Sequence, residues 1–416
     1  MTKTRPVPRL LAGTAPRPAR FALAACLLSR VVVFLAGFLW VSFTGEWSRS
    51  LVIRDPRYAE ALHGVAGRLV DIWAHWDGVW FVRIASNGYR HADSAAFFPL
   101  YPLLMRLLAP LTGGNYVIAG IAISLLAYGV AMVLLYKLTA KLFDPTVAAW
   151  TVAFVSWFPT STVFSAVYSE SLFLMLTLAA FWFATRRHWA LAALAGFFAA
   201  LTRNSGVLLV VPLLLQYGRE AGWSWRRVRL RWPRDLRLLW LLLVPAGLLS
   251  YAAYLQAKLG NATAFSSDQS NWHRYLSDPF STVYDGGRKA AWGALRIVEG
   301  HASVAPGQPG YAYIVYAIAP FLVFAGAVAL VVLGWRRLPA SYTAWAFLGL
   351  GLPLLYPTVM RPLYSFHRFA VLIFPLFIVA ALVTGNVRWL RWTLLLASAA
   401  GMLLFTVAFA WFAAIG

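Results

Sequence analysis

The sequence is short of charge. Only 12% of its 416 residues are Asp, Glu, Lys or Arg, while 61% are hydrophobic. Soluble domains carry about 25% charged residues, so this chain cannot cover a water-exposed surface. An ordinary soluble enzyme, a disordered chain and a fibrous repeat are excluded. Cysteine is nearly absent: Cys26 stands alone, which rules out a disulfide framework and a cysteine-based metal site. The seven histidines show neither HxH nor HExxH spacing, and there is no Walker loop, GxGxxG or GxSxG. A soluble nucleotide-dependent mechanism has no support. Lysine is scarce beside arginine, 5 against 31, which speaks of genome base composition more than of chemistry.

What the chain does have is long apolar runs. Eleven segments stand out, at about 21–44, 115–136, 145–160, 166–185, 189–202, 205–218, 238–257, 311–334, 340–357, 369–385 and 392–414. A perpendicular helical span needs about 20 apolar residues, so several of these are short. The reading is an all-α polytopic membrane protein, a bundle of about 11 transmembrane helices. The net charge of +22 invites a nucleic-acid partner, but its distribution argues otherwise. With the N-terminus in the cytoplasm and the spans alternating, the inner segments hold twenty Lys/Arg and only Asp144, Glu220 and Asp235. The outer segments hold fifteen Lys/Arg and eleven acids. That is the positive-inside pattern, and the run Arg226–Arg237, RRVRLRWPRDLR, is read as topogenic and lipid-facing. Residues 1–20 are expected to be a disordered cytoplasmic N-terminus, followed by a retained signal anchor. Residues 21–416 then form a single transmembrane domain with two long outer loops, 45–114 and 258–310. Loops of this length are usually functional, and the acids gather in them.

In the first outer loop, 56–73 read as a helix lying in the interface. Tyr58, Leu62, Val65, Leu69 and Ile72 share one face, and Arg57, Glu60, Gly64, Gly67 and Arg68 the other. HWDGVWF (75–81) and VRIASNGY (82–89) follow. Asp77 falls where an N-cap belongs and Gly88 where a helix C-terminus would end. Asp77 can thus be a cap without chemistry or a functional carboxylate. The sequence AFFPLYP (96–102), with two prolines three apart, predicts a rigid aromatic bend of the kind that lines a cavity.

Polar residues mark the other spans. SWFPTSTVFSAVYSES (156–171) sets Glu170 at an outer helix end, as a dipole-paired carboxylate or as an acid facing an outer cavity. Arg203 in TRNSG (202–206), and Arg361, His367 and Arg368 in RPLYSFHRF (361–369), occupy outer turns. They either face lipid headgroups or converge on an anionic ligand such as a phosphate. Arg30, half-way through the first span, costs at least ~2.5–3.5 kcal/mol on insertion scales and must have a partner. QSNWHRY (269–275) in the second loop offers His273 and Arg274 but no metal-ligand spacing.

The run HWDGVWF…IASNGY…AFFPLYP resembles the PIG-V-like mannosyltransferases of the GT-C superfamily. The family pattern is matched at Trp76–Asp77, Ile84–Ala85, Gly88–Tyr89 and Phe97–Pro102. Further echoes lie at Tyr168–Ser169–Glu170, at Thr202–Gly206, and at Arg368 followed by Phe374–Phe377. There is no Asp-x-Asp or Glu-Asp pair around Asp77, so neither a metal nor any other cofactor is expected. The short N-terminal extension and the arginine bias look bacterial, and a GPI acceptor is not expected.

The resemblance implies a GT-C-like bundle and transfer of a mannosyl or other hexosyl residue from a polyprenyl-phosphate donor. The acceptor would be a hydroxyl of a glycolipid, glycan or protein on the extracytoplasmic face of the plasma membrane. Within that reading Asp77 is the general base. Arg203, Arg368, His367 and Arg30 are candidates for the donor phosphate, and His75, Trp76, Glu170 and Tyr101 for the acceptor or sugar. The competing reading is a transporter or flippase of lipid-linked sugar, which would use midplane polar residues and inverted repeats. No convincing repeat is present.

Overall fold

Each of the eleven apolar segments is helical over most of its length in the computed structural model, which describes residues 17–44, 62, 64–90, 94–223, 234–304 and 308–411. Among the described residues, five helices are long and apolar enough to cross a membrane: Arg17–Thr44, Tyr116–Leu142, Leu236–Leu259, Pro309–Gly334 and Arg388–Ala410. Shorter apolar helices, among them Pro145–Ser156, Glu170–Thr185, Trp189–Thr202, Ala340–Leu355 and Phe374–Val383, fill the bundle between them. Among the described residues, strand pairing amounts to one isolated bridge between Arg274 and Thr358. The protein is therefore an all-α polytopic membrane protein.

Local sequence explains where the helices begin. The Asn115 side chain accepts from the backbone N–H of Val117 and Ile118, and Asp144 does the same for Thr146 and Val147 ahead of Pro145. Both are side-chain caps on otherwise unpaired donors. Lipid-facing stripes are equally legible. In the first span Leu23, Leu27, Val31, Leu35 and Leu39 are exposed at i, i+4 spacing, while Cys26, Ser29, Arg30 and Val33 are buried.

Side-chain contacts fix which helix ends meet. Phe21 packs against both Trp150 and Trp392, Lys141 donates to the carbonyl of Thr185, and Arg187 pairs with Glu220 at 3.3 Å, so these termini share one end of the bundle. At the other end Thr162 hydrogen-bonds Thr406, Thr160 donates to the carbonyl of His367, and Tyr251 donates to that of Ala95. Antiparallel alternation of the segments requires this arrangement. It brings the segments around residues 77, 170, 203, 274 and 368 to the same end.

The expectations for the first outer loop are met in part and corrected in part. Of the helix expected over 56–73, the described residues are helical at Gly64–Val70 and tighten into a 3-10 turn at Asp71–Ala74; residues 56–61 and 63, like 226–233 of the basic run, lie outside the described residues. Asp77 is not an N-cap. It is the first residue of the Asp77–Asn87 helix, whose cap position is Trp76, with φ 56°, ψ −118° and no side-chain cap bond. Gly88 ends that helix at φ 70°, its N–H bonded to Ile84, a conformation glycine adopts without penalty. Arg106 donates to the carbonyls of Ala85 and Ser86 there.

Candidate active site

A cavity of about 420 Å³ opens at the end of the bundle where Asp77 lies. Its polar lining includes Asp77, Ser169, Arg203, Asn204, Gln269, Arg274 and Arg368. Each comes from a different local device. Asp77 follows Trp76, whose positive φ is strained for a non-glycine residue and costs of order 1–3 kcal/mol. The turn around it is held by Gly78 N–H to His75 and Val79 N–H to Trp76. Arg368 follows a second such residue, Ser365 at φ 62°, which caps Phe366–Ala370. Two strained caps therefore flank the pair Asp77–Arg368.

That pair is tight. Arg368 Nη1 lies 2.8 Å from Asp77 Oδ2, and its Nε lies 3.4 Å from Glu170 Oε1. The same Glu170 oxygen is 2.9 Å from Arg203 Nη1, which also reaches the Ser169 hydroxyl. Glu170 is only 1% exposed. A carboxylate so buried is tolerable because two guanidiniums surround it. It does not itself line the cavity; it sets the positions of two cations that do. Asp77, a quarter exposed, faces the space.

The third cation is Arg274. Its Nη1 donates to the carbonyl of Tyr356 at 3.0 Å, and its guanidinium lies 6.0 Å from the ring of Tyr364 and 5.9 Å from that of Phe369. Burial, reinforced by the nearby Arg368 charge, pulls its pKa down to about 10. No local signal in QSNWHRY distinguishes this arginine from an exposed one, and sequence reasoning gave it no role. Asn204, Gln269 and Tyr364 were likewise not singled out.

The aromatic bend stands as one wall. Phe97 and Phe98 line the cavity. The carbonyl of Phe97 accepts from the Tyr89 hydroxyl, and Asp268 Oδ2 accepts from the Ala96 N–H at 3.0 Å. Pro99 caps Leu100–Leu108, so Pro102 sits in a first turn, where proline is tolerated. Below the polar end the walls become apolar. Trp345, Gly349, Leu352, Pro353 and Tyr356 line the cavity from one face of the Ala340–Leu355 helix and its end, together with Phe173, Leu208, Leu248, Leu372 and Ile373.

The remaining sequence candidates lie elsewhere. Arg30 spends its guanidinium on the carbonyls of Ser161 (2.6 Å) and Ser156 (3.0 Å) and on the hydroxyls of Ser161, Ser165 and Ser29, with Tyr128 beneath it. It ties the first span to the 156–165 segment and is not among the cavity residues. His367 is buried against Phe405. Tyr101 is buried, with its hydroxyl on Gly120 and Ser124. His75 is buried against Phe409, and burial lowers its pKa to about 4, so it is neutral at physiological pH. Trp76 packs against the core beside Asp77. None of these five lines the cavity.

Comparison with known proteins adds an independent line. Residues 21–217 match the family model described as Mannosyltransferase (PIG-V). A GPI mannosyltransferase 2 of Drosophila pseudoobscura pseudoobscura is 37% identical over 109 residues, 24% of each chain. That of Drosophila melanogaster is 35% identical over 168 residues, 37% of this chain and 36% of the relative. The human GPI alpha-1,6-mannosyltransferase 2 is 29% identical over 161 residues, covering 36% and 32%. The chain thus spans about a quarter to a third of the length of these relatives. An oligosaccharyltransferase of Archaeoglobus fulgidus superposes with a TM-score of 0.43 at 13% identity, covering 91% of this chain and 53% of that one. The resemblance to the PIG-V-like mannosyltransferases that the motifs carry is found again in this match, which holds Asp77, Glu170 and Arg203.

Proposed function

We propose that this chain is an inverting, GT-C-type glycosyltransferase. It moves a mannosyl or other hexosyl residue from a polyprenyl-phosphate donor to an acceptor hydroxyl at the extracytoplasmic face. The observation that carries the reading is one cavity with a carboxylate and three guanidiniums at its polar end and apolar walls below. An amphiphile with an anionic head suits such a space.

In the reaction the acceptor oxygen attacks the anomeric carbon as the bond from that carbon to the phosphate oxygen breaks. The electron pair of the broken bond leaves with the phosphate, and the hydroxyl proton passes to Asp77. Arg368 holds Oδ2 of Asp77, which orients the carboxylate and leaves its other oxygen for the incoming hydroxyl. The cations stabilise charge that builds on the leaving oxygen, so no general acid is required. Asn204, Ser205, Ser266 and Gln269 supply hydrogen-bonding groups along the same wall and suit sugar hydroxyls. A transporter would need ionisable groups along a path between the two ends. The mid-span cation, Arg30, is instead tied to carbonyls, which favours the transferase reading.

The test is Asp77→Asn in membranes supplied with labelled polyprenyl-phosphate mannose. A positioned base contributes roughly 10²–10⁴-fold, so transfer should fall by at least about 100-fold at normal protein abundance. Transfer at the wild-type rate would remove Asp77 from the base role.

A further inference from the structure

The three guanidiniums of the cavity are not equivalent, and we infer that Arg274 is the primary ligand of the donor's phosphate. This deepens the proposed function and rests on it. Arg203 is paired with Glu170, and Arg368 with both Asp77 and Glu170. Among the described residues Arg274 has no carboxylate within 4.0 Å; its contacts are one carbonyl and two aromatic rings. Arg274 is partly buried; a charge drawn out of water without a counter-ion is costly, and an anionic ligand relieves that cost.

Charge conservation points the same way. Within the ion-pair cluster itself, three guanidiniums against Asp77 and Glu170 leave one unit of positive charge; the further buried carboxylate, Asp268, is taken up by the Ala96 N–H and the Asn271 amide. A sugar phosphodiester brings one negative charge and closes the balance. When the acceptor proton moves to Asp77, the protein's surplus rises to two. The departing phosphate monoester carries close to two negative charges at neutral pH. The site is thus near neutrality before and after transfer, and the surplus cation in the starting state is Arg274.

Its placement is built in. The Arg274–Thr358 bridge, Tyr275 N–H to Pro357 and Ser277 N–H to Leu355 strap this part of the second outer loop to the end of the Ala340–Leu355 helix. The guanidinium bonds the carbonyl of Tyr356, the uppermost residue of the strip Trp345, Gly349, Leu352, Pro353 and Tyr356. At a 1.5 Å rise per residue that strip reaches about 16 Å down the helix. Arg274 therefore stands where the polar end of the cavity meets its apolar slot, the place where a lipid phosphate joins its chain.

The test uses the full chain in nanodiscs and two probes of equal chain length, a short-chain polyprenyl phosphate and the corresponding polyprenol. Wild type should bind the phosphate at least ten times more tightly than the alcohol. Arg274→Gln should lose most of that ratio while keeping its affinity for the alcohol, and Arg274→Lys should fall between the two. If wild type does not prefer the phosphate, the donor reading itself fails. If wild type prefers it and both variants keep the full ratio, the assignment to Arg274 fails. A parallel loss for phosphate and alcohol would make Arg274 merely structural. Should Arg274→Gln not fold, the Lys variant decides: a ratio equal to that of wild type overturns the proposal, and a reduced ratio with unchanged alcohol binding supports it.

Discussion

At the scale of single residues, what separates a binding cation from a structural one is its partner. Arg30 is buried and Arg274 partly buried, and their surroundings assign them opposite roles. Arg30 faces backbone carbonyls that have no water to turn to. Replacing it by Met takes the guanidinium from the Ser161 carbonyl and leaves the Ser156 carbonyl with the Ser161 hydroxyl, at about 1–3 kcal/mol for a buried group left unsatisfied. Arg30→Met should therefore lower the thermal midpoint clearly, while the folded fraction still binds a polyprenyl phosphate within twofold of wild type. Weaker phosphate binding at unchanged stability would return Arg30 to the donor site. The sequence could say that Arg30 needed a partner, because a charge in hydrocarbon must have one. It could not say which, because the partners lie 126 to 135 residues away. The same distance problem hid Arg274, while Asp77 and Arg203 were legible because short motifs surround them.

Among the elements, the helices were read most easily and their detailed faces least. Apolar runs mark the Arg17–Thr44 span to within four residues and the start of Tyr116–Leu142 to within one, with its end read six residues early, since lipid demands continuous hydrophobicity and satisfied backbone. The cap of the Asp77 helix was misread because a positive φ at Trp76 leaves no trace in composition. The cavity-facing strip of Ala340–Leu355 was also invisible: on a helix apolar all round, periodicity does not tell a slot from lipid. Gly349 tests that strip. A Cβ placed there would lie 2.9 Å from Cγ1 of Ile373, and both residues line the cavity. Gly349→Val should narrow the slot and weaken binding of a long polyprenyl phosphate by at least tenfold. A probe with two isoprene units, ending short of the pinch, should be affected far less. Equal loss for both chain lengths would mean that the slot does not hold the chain.

For the molecule as a whole, the site exists only when distant parts of the chain come together. Asp77, Glu170 and Arg203 lie within the matched 21–217, but Arg274 and Arg368 lie beyond it. The charge asymmetry bears on which way this assembly faces. The end holding Arg187, Glu220 and the Arg336–Arg337 turn is rich in arginine, and the positive-inside rule assigns such an end to the cytoplasm. On the proposed orientation the cavity would open outside, the face where the proposed lipid-linked donor would be used. Impermeant maleimide labelling decides this directly, and the chain suits it because its single cysteine, Cys26, is buried. In a Cys26→Ala background, Glu299→Cys should label in intact cells, since Glu299 is exposed at the end of the Pro279–Val298 helix, on the cavity side. Arg337→Cys, at an exposed turn of the opposite end, should label only after permeabilisation. The reverse pattern would put Asp77 on the cytoplasmic side. The donor would then have to be presented from the inner leaflet, and the extracytoplasmic mechanism would fall while the cavity chemistry stood.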